Sequence, residues 1–426
     1  MGTPLEGIKV LDLSRVLAGP WCTMTLADLG AEVWKVEAPK GGDETRKWAP
    51  PSVGGISTYY LAVNRNKKAL AIDMASPRGA ELVRELVRRA DVVVENFLSK
   101  SLKRLGLDYE SLKAIKPDII HCSISGYGRD GPLADQPGYD FVIQAEAGLM
   151  AITGTKDGEP TRFGVAITDL VSGMNATQAI LAALYHRALT GEGQSIDISL
   201  YRSGIQLLAN IASGYLNTGT EPERFGNAHP SIVPYQSFAT ADGLLALAVG
   251  TDEQFRRLCL AVLGRPDLAE APQFATNRKR AENRAVLIAD LAEIFRERPT
   301  QHWLDRLAAA GVPAGKVRKV SEAFTDQPEL AGRMVVEVPH PELGRVKVVR
   351  SPMRFSATSL ALPSTTLMAP SAHEGTQSPQ PLHFSSSIRM IFLVAFIRAS
   401  LLIPSVAAPG RQPTDLYFSG SFYATS

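Results

Sequence analysis

Cysteine is scarce: the 426-residue chain has three, Cys22, Cys122 and Cys259, with no CxxC pair. That spacing supports neither a disulfide framework nor a cysteine zinc site, and it fits a reducing compartment. Charge of either sign is not in excess, since 45 Lys and Arg face 43 Asp and Glu for a net +2. No nucleic-acid footprint follows from such a balance. Long apolar runs are missing too. Residues 390–397 are continuously apolar, but Arg398 and Pro404 cut the run short of the roughly 20 residues a membrane span needs. The first residues lack the charged-then-apolar plan of a signal peptide, and no HExxH or GxSxG occurs. These absences lead to the expectation of a soluble cytoplasmic protein without metal, nucleic-acid or membrane partners.

What is present is ordinary globular composition, 45% apolar and 21% charged, in a chain long enough for two or three domains. Short β-branched runs at 8–13, 32–37, 69–73, 91–95, 118–124 and 195–200 alternate with helical patterns. Ser76 and Pro77 announce a helix to Arg89, with Leu82, Val83, Leu86 and Val87 on its apolar face. Such alternation predicts an α/β fold with a mostly parallel sheet covered on both faces. The stretch 224–234 reads as a Gly, Asn and Pro loop, and 253–309 as a smaller, Arg-rich helical unit. From Ala369 on, 58 residues carry only five charges and no sustained period, which predicts a disordered extension.

Several motifs invite chemistry. Gly126, Gly128 and Gly131 match GxGxxG after a strand, yet Pro132 follows where a helix should begin, so a turn-rich loop is expected. Gly311 to Lys316 approximates a phosphate loop but is one residue short and lacks the final Ser or Thr. Asp169 opens a long helix, either as its N-cap or as a nucleophile whose anion the helix dipole favours. Tyr139 fits a core aromatic equally well, and His229 a flexible solvated loop. The basic cluster 64–68 reads as a solvated edge or an anion site.

Taken in register, these segments resemble class III CoA-transferases. The likeness is carried by 5–20, 26–33, 35–37, 42–46, 64–68, 91–97, 123–128, 138–140, 168–170, 191–194 and 311–315. It covers about residues 4–358, and the segment 227–236 is most similar to the succinate–hydroxymethylglutarate CoA-transferase branch. The resemblance implies an open, mostly parallel Rossmann-like sheet in a large domain (1–224 and 311–367). It also implies a smaller α+β domain (225–310), an interlocked homodimer and an atypical tail (368–426).

By the same resemblance, Asp169 is the catalytic nucleophile of a CoA transfer from an acyl-CoA, succinyl-CoA being favoured, to a dicarboxylic acid. Coenzyme A enters as the acyl-CoA substrate, contacted by Leu17, Ala18, Ile72, Asp73, Met74, Asn96, Phe97, Leu98, Arg104, Pro137, Gly138, Tyr139 and Asp140. Backbone N–H groups of the turn at 17–19 are the expected oxyanion donors. Arg65 is expected to hold the substrate's far carboxylate, with Arg46 and His229 as weaker candidates. Three departures stand out. Leu17 replaces the glutamine of formyl-CoA transferases, and Ala38 stands where a basic residue often meets CoA phosphates. The tail replaces the family's usual closing segment and reads as a frame change or a diverged end. Two alternatives remain at this stage. One is an α-methylacyl-CoA racemase-type epimerase, disfavoured because Tyr139 stands where racemases carry histidine, and tyrosine as a residue type is a poor acid/base partner at neutral pH. The other is an inactive acyl-CoA binder.

Overall fold

The computed structural model describes residues 2–364. The expectations for 368–426, including the apolar run at 390–397, lie outside the described residues.

Six of the β-branched runs form strands β1 (Lys9–Asp12), β2 (Glu32–Glu37), β3 (Lys67–Ala71), β4 (Val92–Glu95), β5 (Ile120–Ser125) and β6 (Ser195–Ser199). They line up as β3-β2-β1-β4-β5-β6, and each pairing is parallel. Strand β4 shows why the sequence reads as a run rather than an alternation. Val92 and Val94 face a core with Val10, Val33, Cys122 and Ile180, while Val93 faces Leu11, Trp34, Val83 and Val87. A strand covered on both faces has no polar side to display.

Helices α1 (Ala18–Asp28), α2 (Pro77–Arg89) and α3 (Ile167–Thr190) cover this sheet. Helix α2 starts where Ser76 predicted: the Ser76 Oγ accepts from the Gly79 N–H at 3.1 Å, and Pro77 fills the first turn. Helix α1 begins at Ala18 without a side-chain cap, since Leu17 offers none. Between β1 and β4 the strand order changes direction. The chain leaves these neighbours toward opposite halves of the sheet, which opens a crevice at their carboxyl ends.

A second sheet joins β7 (Tyr235–Ala239), β8 (Leu244–Ala248) and β9 (Ala314–Lys316) antiparallel. Its own core gathers Phe238, Leu245, Phe255, Leu291, Phe295 and Trp303. Strand β9 falls in the stretch expected to rejoin the large domain, but its pairing of Ala314 with Leu247 keeps it in the small sheet. The return comes later. The hairpin of Val335–His340 and Gly344–Val349 packs Val338, Val346 and Val348 on Leu61, and the Ala361 N–H donates to the Asp28 carbonyl. Cys22, Cys122 and Cys259 are buried and unlinked. Among the described residues no helix is long and apolar enough to cross a membrane.

Candidate active site

A cavity of about 260 Å³ lies at the carboxyl edge of the large sheet, in the crevice between β1 and β4. Arg15, Val16, Leu17 and Ala18 come from the turn after β1, and Asn96, Phe97 and Leu98 from the loop after β4. Ser125, Gly126, Arg129 and the 134–139 loop close the far side, with Asp169 and Leu200 completing the wall. Eight of the expected CoA contacts therefore converge with Asp169: Leu17, Ala18, Asn96, Phe97, Leu98, Pro137, Gly138 and Tyr139. Ile72, Asp73 and Met74 do not line the cavity, although they follow β3 at the same edge of the sheet. Arg104 is exposed on the helix Ser99–Leu105, also outside it.

Two close approaches set the cavity's shape. Gly126 and Gly138 pass back to back, so near that a Cβ on Gly126 would lie 2.8 Å from the Gly138 Cα. The GxGxxG match is thus a crossing of two loops rather than a phosphate cradle, as the following Pro132 predicted. Gly19 similarly abuts Ser14, whose Cβ and Oγ would stand 2.2 Å from an added Cβ.

Asp169 is not an N-cap. Helix α3 begins at Ile167, its cap residue Ala166 has no side chain to offer, and Asp169 stands in the first turn. The capping comes from Asp140. Its Oδ1 accepts from the Thr168 N–H at 2.8 Å and the Thr168 hydroxyl at 2.7 Å, and its Oδ2 accepts from Gln144 at 2.7 Å. With both oxygens engaged in the interior, the Asp140 carboxylate supports the helix rather than facing the cavity. The Asp169 carboxyl makes no hydrogen bond or ion pair among the described residues. Burial, then the like charge of Asp140, raises its carboxyl to about 7. The dipole of α3 favours the anion, but these two effects outweigh it. Tyr59 lies within the field of Asp169, and burial first, then the Asp169, Asp140 and Asp43 charges, raise its phenol to about 12.

Behind the wall formed by 14–18 sits a buried ion cluster. Lys67 donates to Asp12 at 3.1 Å and Lys35 pairs with Asp43 at 3.1 Å, all four side chains being fully buried. Burial alone would raise the Asp12 carboxyl, but Lys67 and Lys35 overcome it and bring it to about 2. The motif segments 42–46 and 64–68 supply Asp43 and Lys67, so much of their charge is interior.

The three residues expected to meet a substrate carboxylate lie elsewhere. Arg65 is buried and bonded twice to Asp28, with Nε to Oδ1 at 3.0 Å. Arg46 grips Glu37 through Nε at 2.7 Å and Nη2 at 3.0 Å, and stacks on Tyr60. His229 does not line the cavity, and its loop is far from loose. The His229 Nδ1 accepts from the Ser231 and Ile232 N–H groups, while Arg284 donates to the His229 and Pro230 carbonyls. Two cations that sequence reasoning passed over do line the cavity. Arg15 pairs with Glu44 at 3.0 Å and lies over the Phe97 ring. Arg129 holds Glu95 at 2.9 and 3.1 Å and the Phe97 carbonyl at 2.6 Å. Lone arginines in loop-rich sequence give no signal of this kind. Among the described residues no group of three or more His, Cys, Asp or Glu is placed to hold a metal.

Comparison with known proteins bears on what this cavity serves. The family model described as CoA-transferase family III matches residues 5–371. A human succinyl-CoA:glutarate CoA-transferase is 46% identical over 353 residues, covering 83% of this chain and 80% of the relative. A succinate–glutarate CoA-transferase of Agrobacterium fabrum is 44% identical over 363 residues, covering 84% and 90%. Among solved structures, a CAIB/BAIF family protein from Brucella suis superposes with a TM-score of 0.78 at 45% identity, covering 87% of this chain and 97% of that one. With fold, sequence and the convergence around Asp169 in agreement, the chain belongs to CoA-transferase family III and is a CoA-transferase.

Proposed function

We propose that the chain moves CoA from succinyl-CoA to a second dicarboxylic acid through a covalent intermediate on Asp169. The reading rests on an Asp169 carboxyl without a partner among the described residues, in a cavity that Leu17 and Ala18 also line, their N–H groups making no hydrogen bond among those residues. A carboxylate Oδ attacks the thioester carbonyl carbon, and the C–S bond breaks to release CoA thiolate and leave a mixed anhydride. The thiolate then attacks the Asp169 carbonyl, expelling succinate and forming an aspartyl thioester. The acceptor carboxylate attacks in turn, and the thiolate released takes up the acceptor acyl group, which regenerates Asp169. Each tetrahedral intermediate places an oxyanion that the Leu17 and Ala18 N–H groups can receive. A nucleophile raised to about 7 is largely ionised at slightly alkaline pH yet desolvated enough to attack.

Glutarate is the first acceptor to examine, because the relatives named above carry that acid in their names. The nucleotide end of CoA would run along the carboxyl edge toward 72–74, where β3 ends. A homodimer is supported by the apolar outer face of α3, where Met174, Tyr185 and Leu189 stand 46%, 69% and 69% exposed. Three buried free thiols support a cytoplasmic setting. Mass spectrometry after incubation with succinyl-CoA and hydroxylamine tests the central step. A hydroxamate on Asp169, absent from the Asp169→Ala variant, is the expected result. An unmodified protein that still binds CoA would overturn the covalent reading.

A further inference from the structure

Resemblance alone assigns Asn96 to CoA contact, but its carboxamide is already engaged. The Asn96 Oδ1 accepts from the Arg15 N–H at 2.9 Å, and the Asn96 Nδ2 donates to the Arg15 carbonyl at 2.7 Å. Residue 15 is thereby gripped at both backbone polar atoms, much as a strand neighbour would grip it. The next residue needs that restraint. Val16 has φ +70°, a left-handed conformation that a β-branched side chain strongly disfavours. From behind, its N–H reaches the buried Asp43 carboxylate only at 3.3 and 3.4 Å, a weak hold. Asn96 is itself well anchored, since the adjacent Glu95 carboxylate is fixed by Arg129 and by the Phe97 N–H at 2.8 Å. Beyond Val16 come Leu17 and Ala18 in the cavity wall, whose N–H groups have no partner among the described residues.

We propose that Asn96 is a positioning residue for the transfer: by clamping Arg15 it keeps Val16 left-handed and so presents the Leu17 and Ala18 N–H groups to the oxyanion formed over Asp169. This inference rests on the covalent reading of Asp169. It assigns Asn96 to the chemical step rather than to CoA affinity, and it couples residue 96 energetically to residue 16.

Single-turnover formation of the hydroxylamine-trapped Asp169 adduct, alongside calorimetry with CoA itself, separates these roles. In Asn96→Ala the adduct should form at least about tenfold more slowly, as expected when oxyanion donors are misplaced, while CoA affinity stays within about threefold. Asn96→Asp keeps an acceptor for the Arg15 N–H but sets a carboxylate oxygen against the Arg15 carbonyl, and should slow the step too. Its melting temperature guards against a simple folding defect. Glycine adopts a φ of +70° freely, so Val16→Gly should recover part of the rate lost in Asn96→Ala. Loss of CoA affinity by the same factor as the rate would overturn the proposal, as would an undiminished rate or strictly additive effects at 16 and 96. A wild-type protein that forms no adduct removes the covalent reading, and this inference with it. A wild-type adduct matched by Asn96→Ala removes only the clamp.

Discussion

Gly173 of α3 lies against the Ala18 carbonyl so closely that a Cβ there would stand 2.6 Å from the oxygen. The approach is what brings Asp169, one helical turn away, into the same wall as Leu17 and Ala18. Gly173→Ala should force α1 and α3 apart. A loss of about 1–3 kcal/mol in stability is expected from overpacking, seen in denaturant unfolding. The adduct on Asp169 should form at least about tenfold more slowly, because a small misplacement of reacting groups is costly. Wild-type kinetics in that variant would mean that the helix contact does not set the site.

The pH dependence of adduct formation follows from the raised Asp169 carboxyl. In the proposed covalent mechanism only the anion attacks, so the rate should climb through about pH 7 and level off above it. Asp140→Asn removes the like charge that contributes to the shift and should move the midpoint downward. A profile flat between pH 5 and 9 would show that ionisation of Asp169 does not control the step.

Stability should carry the opposite sign at the same residue. The folded protein holds the Asp169 proton up to about pH 7, whereas an ordinary aspartate releases it near 3.8. Between those values the native state binds more protons than the unfolded one, so this group lowers stability as pH rises from 4 to 7. Asp169→Asn should therefore melt higher than wild type at pH 8 and level with it at pH 4. For a chain of this size each kcal/mol recovered is worth roughly 1–2 °C. A variant that melts lower at pH 8 would contradict the assignment.

Arg65→Ala should damage folding and spare acceptor binding. The guanidinium and the Asp28 carboxylate are less than a tenth exposed, and removing one partner of such a pair costs about 3–5 kcal/mol. Urea unfolding measures that loss, and steady-state kinetics on the folded fraction should return a KM for the acceptor within about twofold of wild type. A selective rise in that KM would restore Arg65 to the substrate.

The sheet was readable because its strands are apolar on both faces, and runs such as 92–94 declare themselves in any order of reading. Asp169 could be singled out as well, but its local role could not. The cap of α3 comes from Asp140, 28 residues earlier, and no pattern around Ala166 betrays it. The basic motifs misled for a related reason. Arg46, Arg65 and Lys67 look like surface charge until Glu37, Asp28 and Asp12 arrive from other strands and helices. His229 likewise read as a loose loop residue, since the arginine that pins its carbonyl lies on a later helix. Hydrophobic periodicity is local, whereas ion pairing and capping here are settled by tertiary contact.

The crossing of Gly126 and Gly138 makes the intervening stretch 127–137 a closed cassette, its two ends fastened at one point. Closure entropy grows only by about 0.6 kcal/mol for each doubling of loop length. Within it, Arg129 on Glu95, Tyr127 on Glu146 and Asp130 on Arg202 tie the stretch to the rest of the domain. Between those ties the chain length is held only weakly by closure, so a change of length in this wall of the cavity costs far less than a change at its fastened ends.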